Sequence, residues 1–501
     1  PAKPSRRAPT GRAPAHRRSK AAGAVVALDP GRTGLGAPRR ADAREALAMT
    51  MARLARCDRL GRVVIATPDP GRARALLADS SIDAEVVATE AEAFSRPAVA
   101  SARALSRASW RGGIANLCVY DEPIGPRALA GAMQAAGLDR ALIVGADWAL
   151  VDPALCDAAL DAHARRDDPA AVAFAQAPPG LGACVVGRRL AEEQAANAHH
   201  PAVTIGGLLG YHPARPAADP IALDACVRVD PAVRGAVARF IADDPEGAGV
   251  IARLGERAAE ARADDVVAAW RTAEAPPPWD WTLELAAGRP PHGVAPAFNS
   301  AATGPHTLMP AGRARAWLDA IARARPDAAV TFAGAGDPLT HPDLAGLIAH
   351  ARALGLGAVH VRTPLVADDA VLDALARSAP DVISVDLYAN SAATYRAITG
   401  ADVFRRALEG IDRLRGGRDD GPTLEAPWIV PRITRCAAAL DEIEAFYDKW
   451  LLVTGAACID PLPEEVRDGR CAALTVPTLA RAARARMSRT VAVADEPPAD
   501  V

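Results

Sequence analysis

The stretch Ala329-Val330-Thr331-Phe332-Ala333-Gly334-Ala335-Gly336-Asp337-Pro338 decides how the second half of the chain folds. Its first five residues are apolar or β-branched, as in a buried strand, and the glycines and the acid then predict a tight turn. A helical pattern begins at Pro342 and places Leu344, Leu347, Ile348 and Ala351 on one face. A strand followed by a glycine-rich turn and an amphipathic helix is the unit from which parallel sheets are built.

The same unit recurs on both sides of this stretch. We predict strands at Trp281–Leu285, Ala329–Ala333, Ala358–Arg362, Val382–Leu387, Trp428–Ile433 and Ala456–Ile459. Further helices are predicted at 313–325, 402–415 and 440–450. Right-handed crossovers between six parallel strands would curl the sheet into a partial (β/α) barrel. Ligands of such barrels bind beyond the carboxyl ends of the strands.

The first half of the chain also alternates strands and helices. Strands are expected at 24–28, 63–65, 86–87, 117–120 and 141–144, and a helix at about 43–56. This pattern predicts a doubly wound, largely parallel α/β sheet that is covered on both faces. The proline run at 276–278 is the expected linker. We therefore divide the chain into a basic tail (1–20), a first α/β domain (21–275), a linker (276–280), the barrel (281–480) and a C-terminal segment (481–501).

Composition limits the classes of function. The chain has 501 residues and a net charge of −2, so nothing in the whole molecule favours nucleic acid. No apolar run approaches the ~20 residues of a membrane helix, and the basic tail lacks the apolar centre of a signal peptide. The eight cysteines form no CxxC or CxxxC pair, which favours reduced, mostly buried thiols. These features predict a cytoplasmic protein of bacterial type, and they leave its oligomeric state open.

The glycine turn and a later segment carry a family resemblance. Gly334-Ala335-Gly336-Asp337-Pro338, with His341 behind it, resembles the segment after the second strand of radical S-adenosylmethionine enzymes. Asp381–Leu387, followed by Thr394-Tyr395 and Ile398-Thr399-Gly400, is similar to the fourth-strand segment of the same family. The resemblance covers about 281–460. The residues of these motifs and their order along the chain most resemble the spiro-SPASM type. That type carries a nucleotidyltransferase-like domain N-terminal to the barrel.

This resemblance implies a set of ligand-binding residues. S-adenosylmethionine would be held by Gly334, Gly336, Asp337, Ser384 and Asp386. In the family the turn holds the methionine amino group, and the polar end of the fourth strand faces the ribose. From the residues alone, a tight turn in which Asp337 accepts from local amides is the favoured alternative.

The family's cluster motif is missing. Three cysteines spaced CxxxCxxC should follow the first barrel strand to hold a [4Fe–4S] cluster. Residues 286–296 read AAGRPPHGVAP and contain no cysteine, so we expect no cluster. The histidines in this loop, His292 and His306, are expected to be exposed and not to be ligands. The stretch 484–495 resembles the start of a SPASM module, and no cysteine series follows it.

The first half loosely resembles a cytidylyltransferase-like nucleotidyltransferase. The loop after its first strand contains Gly31, Arg32 and Gly34, which could wrap phosphate oxygens, although the usual lysine of that loop is missing. Asp147 follows the strand at 141–144, where the family's acid binds a divalent metal, and Asp219 is a second candidate for Mg²⁺. The alternative is that Asp147 stabilises a turn and that Asp152 caps the helix starting at Pro153.

Together these patterns favour a degenerate radical S-adenosylmethionine/SPASM-like protein that binds a cofactor or substrate without redox chemistry. The alternative is an active nucleotidyltransferase-type or radical-type enzyme that acts on a sugar nucleotide or peptide. Neither reading involves a membrane or nucleic acid. Whether the chain is an enzyme, and which small molecule it takes, stays open on the sequence alone.

Overall fold

The computed structural model describes residues 22–28, 43–78, 84–90, 96–114, 125–166, 168, 171–197, 226–236, 238–242, 244–416, 427–463, 466 and 487–498. Several predicted features lie outside these residues. They are the basic tail, the strand at 117–120, the loop residues Gly31, Arg32 and Gly34, and the candidate metal ligand Asp219.

Two sheets organise the described residues. The strands of the first half are β1 (Ala22–Ala27), β2 (Arg62–Thr67), β3 (Glu85–Ala88), β4 (Arg111–Ile114), β5 (Arg140–Gly145), β6 (Val172–Ala175), β7 (Cys184–Gly187) and β8 (Cys226–Val227). The helices are α1 (Ala43–Leu54), α2 (Pro70–Leu77), α3 (Arg96–Ala108), α4 (Pro126–Ala135), α5 (Pro153–Ala164), α6 (Arg188–Ala196), α7 (Pro231–Arg234), α8 (Pro245–Leu254) and α9 (Ala263–Arg271).

The first sheet has the strand order β3-β2-β1-β5-β7-β6-β8. The expected parallel arrangement holds for β3, β2, β1 and β5, whereas β7 runs antiparallel to both of its neighbours. The central strand β1 is buried because alternate residues pack against helices on opposite faces of the sheet. Val26 belongs to the core cluster with α1 and α5, and Val25 to the cluster with α4.

The second half contains nine strands and six α-helices in the described residues. The strands are β9 (Asp280–Glu284), β10 (Ala286–Ala287), β11 (Thr307–Leu308), β12 (Ala329–Ala333), β13 (Ala358–Thr363), β14 (Val382–Asp386), β15 (Trp428–Thr434), β16 (Ala456–Asp460) and β17 (Ser488–Val491). The helices are α10 (Ala311–Ala324), α11 (Leu344–Ala353), α12 (Asp369–Ser378), α13 (Ala392–Thr399), α14 (Phe404–Leu414) and α15 (Ile443–Thr454).

Six parallel strands form the curled half-barrel sheet of the second half. Their order, β9-β12-β13-β14-β15-β16, is the chain order, and each corresponds to a strand that the sequence predicts. Apolar residues on the convex side, such as Leu283, Phe332 and Val361, pack against the helices. This packing forms the main core of the molecule.

The sheet is longer than the six predicted strands. β17 lies parallel to β9 at one edge, so the described part of the C-terminal segment 481–501 joins the barrel sheet. At the other edge, β4 of the first half lies antiparallel to β16, with Gly113 opposite Ala457. The full order is β17-β9-β12-β13-β14-β15-β16-β4. The six predicted parallel strands are thus present, and the sheet extends beyond the predicted set by these two edge strands.

The helix α3, like β4, comes from the first half of the chain and packs against the sheet of the second half. It precedes β4 directly and packs against β12, β13 and β16. Its buried residues Ala102, Leu105 and Ala104 contact the inner residues near the amino ends of the barrel strands. By chain order residues 96–114 belong to the first predicted domain, but they close the floor of the barrel.

Candidate functional site

The concave face of the half-barrel is polar. Because side chains alternate along a strand, β9 directs Trp281 and Leu283 to the helix side and its other residues into the barrel. The inner side chains along the central strands are mostly polar: Asp280, Thr282, Glu284, Thr331, His360, Arg362, Ser384, Asp386, Arg432, Thr434 and Asp460. A polar barrel interior of this kind is suited to holding a ligand, not to packing a dry core.

A cavity of about 530 Å³ occupies this interior. The polar side chains above line it, together with Arg107 and Leu105 of α3 at the floor. At the carboxyl ends of the strands it is bordered by Phe298, Gly334 and Tyr388. The volume falls in the range of about 300–1,000 Å³ typical of small-molecule sites.

The floor of the cavity joins the two halves of the chain. Arg107 of α3 forms an ion pair with Asp280, the first residue of β9. Ser101 of α3 lies 2.9 Å from the Nε2 atom of His360 on β13. Burial, aided by Arg432, lowers the pKa of His360 to about 3, so this ring is neutral at physiological pH.

Two arginines and two aspartates form a network at the carboxyl ends of β13, β14, β15 and β16. Arg362 lies 3.0 Å from Asp386 and 3.2 Å from Asp460. Arg432 lies 2.5 Å from Asp460 and 3.9 Å from Asp386. Burial alone would lower the pKa of Arg362, but Asp386 and Asp460 outweigh it and raise the pKa above its ordinary value. The pKa of Arg432 is raised as well, so both arginines stay charged in this largely buried network.

Ser384 and Asp386, which the family resemblance predicts to bind a ligand, both line the cavity. Ser384 is buried, and its register partner on β13 is Arg362. Asp386 accepts from the Nε atom of Arg362 with both carboxylate oxygens, each at 3.0 Å. Asp386 therefore presents a compensated charge to the cavity.

Asp337 is held inside the turn. It is 1% exposed, has a φ of 68°, and is not among the residues that line the cavity. Its carboxylate accepts from the Leu339 amide at 3.0 Å and from the Thr363 hydroxyl at 2.8 Å, and lies 3.0 Å from Nε2 of His292. The Leu339 amide is a local partner of the kind that the alternative describes, whereas Thr363 and His292 lie far from Asp337 in the chain.

The two glycines of the turn allow the backbone of β10 to approach closely. A Cβ at Gly334 would lie 2.0 Å from the Ala286 carbonyl oxygen, and one at Gly336 would lie 2.6 Å from the Ala287 oxygen. The Gly336 amide donates to the Ala286 carbonyl at 3.0 Å. The glycines therefore let β10 cross the turn closely. Gly334 also lines the cavity, whereas Gly336 does not.

Glu284 is a cavity residue that the sequence analysis did not single out. It is the last residue of β9 and lines the cavity. Burial, and then the nearby Asp495, raise the pKa of its carboxyl group. No residue in the described part of the chain donates a hydrogen bond or forms an ion pair with its side chain. A glutamate at a strand's carboxyl end is the signal that could have indicated it.

The loop where the family's cluster would lie does not fit an iron–sulfur group. Between β9 and α10 the chain contains no cysteine. Cys458 is buried at the floor beside α3, and burial raises the pKa of its thiol to about 12, away from the thiolate that binds iron. Among the described residues, no three His, Cys, Asp or Glu side chains are placed to hold a metal ion.

The two loop histidines differ from each other. The side chain of His292 is only 10% exposed and contacts Asp337, so the expectation of an exposed ring is wrong there. Its burial follows from the acid that the turn supplies. His306 is exposed, as expected, and its Nε2 lies 3.1 Å from the Thr340 hydroxyl. Of the six cysteines in the described ranges, all are free thiols and five are buried.

The acids of the first sheet have distinct roles. Asp152 caps α5 by accepting from the Ala154 amide at 2.9 Å, and it also accepts from the Ala263 amide at 2.8 Å. Asp147 is half-buried in the turn after β5. β5 runs parallel to β1, with Gly145 opposite Ala27, so Asp147 follows the same sheet edge at which the loop after β1 begins.

Residues 295–419 match the model of the Radical SAM superfamily. This range begins in the loop before α10 and ends just after α14, so it includes the glycine turn and β14. The search of curated proteins found no match. No helix in the described ranges has the length and apolar character needed to cross a bilayer.

A cytidylyltransferase and S-adenosylmethionine-binding proteins are among the solved structures similar to this chain. One is a cytidylyltransferase from Leptospira borgpetersenii, at 10% identity and a TM-score of 0.33, covering 50% of this chain and 93% of that protein. Another is Streptococcus suis SuiB bound to S-adenosylmethionine, at 12% identity and a TM-score of 0.29, covering 45% and 54%. A third is anSMEcpe with bound AdoMet and a peptide, at 11% identity and a TM-score of 0.30, covering 37% and 51%. The chain thus spans about half the length of these last two proteins.

Proposed function

We propose that this protein binds a small molecule of the S-adenosylmethionine class in the barrel cavity, and does so without an iron–sulfur cluster. One observation carries the proposal. A polar cavity of ligand size is lined in part by strands of residues 295–419, which match the Radical SAM superfamily model, and it lies beside a loop that has no cysteine. The cavity needs no iron for its shape, because strand pairing and the arginine–aspartate network hold its walls.

The walls suggest how a nucleoside-type ligand would be held. Tyr388 and Phe298 pack with ring centroids 5.9 Å apart at one border of the cavity, where they offer an apolar surface to a base. Ser384 and Thr434 supply hydroxyl groups inside the cavity, which can donate to or accept from a sugar. Bound S-adenosylmethionine would supply an activated methyl or adenosyl group.

Calorimetric titration of the purified chain with S-adenosylmethionine tests the proposal. Ala333 lies on β12 at the cavity wall, so Ala333→Leu fills the space with a larger side chain. The exposed Ala370 on α12 provides the matched control, Ala370→Leu. We expect the wild type and Ala370→Leu each to bind one molecule per chain. The affinity of Ala333→Leu should be about tenfold lower, or weaker still. Absence of binding to the wild type contradicts the proposal.

For the first half we propose a second site, at which Asp147 holds Mg²⁺ with a nucleotide. Its placement after β5, at the edge where the loop after β1 begins, supports this proposal. A sugar-nucleotide ligand would fit the chemistry of such a site. Gly31, Arg32, Gly34 and Asp219 remain proposed partners of Asp147, and they lie outside the described residues.

A further inference from the structure

We infer that Glu284 selects the charge of the ligand, so that the barrel cavity takes an organic cation. This inference rests on the proposed function, in which the cavity binds a small molecule. The ligand class is defined by chemistry: a sulfonium, ammonium or similar positive group attached to a body that fills the cavity. Anionic compounds such as phosphates and sugar nucleotides are excluded from this cavity.

The charge balance of the cavity carries the inference. Among the described lining residues there are three arginines and four acids: Arg107, Arg362, Arg432, Asp280, Glu284, Asp386 and Asp460. Each arginine is paired with an aspartate: Arg107 with Asp280, Arg362 with Asp386, and Arg432 with Asp460. His360 is neutral. The one acid left without a partner is Glu284, so the described walls present one uncompensated negative charge.

The residues around Glu284 leave the negative charge of its carboxylate unneutralised. Its register partner on β12 is Ala333, which carries no polar group. Arg362 stands one strand further, so about 10 Å of sheet separates the two backbones. On the other side, Asp495 accepts from the Ala492 amide and adds a second negative charge near Glu284. The floor arginine, Arg107, is engaged by Asp280.

The arginines are already engaged by aspartates, so an anion would have to compete with those carboxylates for them. Arg432 is 3% exposed, and its guanidinium donates twice to Asp460. An anion that recruited Arg432 would leave the buried Asp460 with Arg362, 3.2 Å away, as its remaining partner, which is unfavourable. A cation beside Glu284 requires no such exchange. It replaces the water around one carboxylate with an ion pair inside the cavity.

Three probes that differ in charge test the inference by calorimetry. S-adenosylmethionine carries a sulfonium and an ammonium group, S-adenosylhomocysteine carries only the ammonium group, and 5′-methylthioadenosine carries neither positive charge. Each is titrated into the wild type, Glu284→Gln, and the control Glu409→Gln. Glu409 lies on the outer helix α14 and pairs with Arg405, far from the cavity lining. Circular dichroism and thermal melts confirm that the variants are folded.

We expect Glu284→Gln to lower the affinity for S-adenosylmethionine about tenfold or more and to leave the affinity for 5′-methylthioadenosine unchanged. The change in affinity for S-adenosylhomocysteine shows which positive group of the ligand Glu284 contacts. An equal loss places Glu284 at the ammonium group, and no loss places it at the sulfonium group. A loss of affinity shared equally by all three probes, or by none of them, overturns the inference and leaves the proposed function standing. If no probe binds the wild type, the proposed function itself fails.

Discussion

Arg107 and Asp280 are 173 positions apart in the chain, yet they form a buried ion pair at the floor of the barrel cavity. The arginine comes from α3, in the first half, and the aspartate begins β9, in the second. Burial raises the pKa of Asp280, and Arg107 counteracts that rise. The barrel floor is therefore complete only when the helix from the first half is in place.

Removing Arg107 should destabilise the whole chain. Arg107→Ala leaves the buried Asp280 carboxylate without a partner, which typically costs about 3–5 kcal/mol. Chemical denaturation measures this loss in the free energy of unfolding. As a control, Arg405→Ala removes an exposed helix pair and should cost under about 1 kcal/mol. Adding Asp280→Asn to Arg107→Ala should restore part of the loss. Equal stability of Arg107→Ala and Arg405→Ala would show that the floor pair contributes nothing.

Stability should fall in mild acid because of His360. The pKa of this buried ring is about 3 in the folded chain, against an ordinary value of 6.5. Between pH 6.5 and about 3, the unfolded chain therefore binds a proton at His360 that the folded chain does not bind. The stability contributed by neutral His360 is present above about pH 6.5 and is lost as the pH falls toward 3.

Denaturant unfolding across that pH range measures the effect of His360. The variant His360→Gln should show a shallower decline, by at most about 1.4 kcal/mol per pH unit. Glutamine keeps a polar group near the Ser101 hydroxyl and has no titrating ring. An identical slope in the wild type and in the variant would rule out His360 as the titrating group.

Binding of S-adenosylmethionine should depend on the protonation of Glu284. Burial and Asp495 raise the pKa of this carboxyl group above its ordinary value. Its negative charge is lost as the pH falls through this raised pKa. Calorimetry between about pH 7.5 and pH 4.5 should show falling affinity for the wild type and for Glu409→Gln. The Glu284→Gln variant should show weaker binding with a flatter profile, and a profile as steep as the wild type's would contradict this account.

The proposed nucleotide site predicts a separate effect in the first half. Asp147→Ala should abolish Mg²⁺-dependent binding of a nucleotide such as CTP, because the metal would lose its carboxylate ligand. Asp264→Ala is the matched control, since Asp264 is an exposed residue of α9. Fluorescence or calorimetric titration with and without Mg²⁺ measures both. Undiminished binding by Asp147→Ala would remove Asp147 from the proposed site.

The central strands could be predicted from the sequence because their apolar, β-branched runs lie between clear turn and helix patterns. β12 occupies the predicted residues 329–333, and the other five predicted barrel strands agree with the structure to within one residue at each end. The edge strand β4 could not be predicted, because Arg111-Gly112-Gly113-Ile114 has no strand pattern. A Cβ at Gly112 would lie 2.2 Å from the Ala457 carbonyl oxygen, so this strand is fixed by close tertiary contact.

The site was predictable only in part, for a related reason. The sequence places Ser384 and Asp386 on a strand that lines the cavity, since strand alternation decides which face they occupy. It does not reveal that Asp386 is compensated by Arg362 or that Glu284 is not. Those outcomes depend on which charged side chains meet across separate strands.

Iron and sulfide analysis, combined with ligand calorimetry on the same anaerobically reconstituted sample, tests the central claim most directly. We predict less than about one iron per chain after removal of excess reagents, together with one bound S-adenosylmethionine. Retention of about four irons and four sulfides per chain would contradict the claim, because a cluster would then be held where the loop after β9 supplies no thiolate.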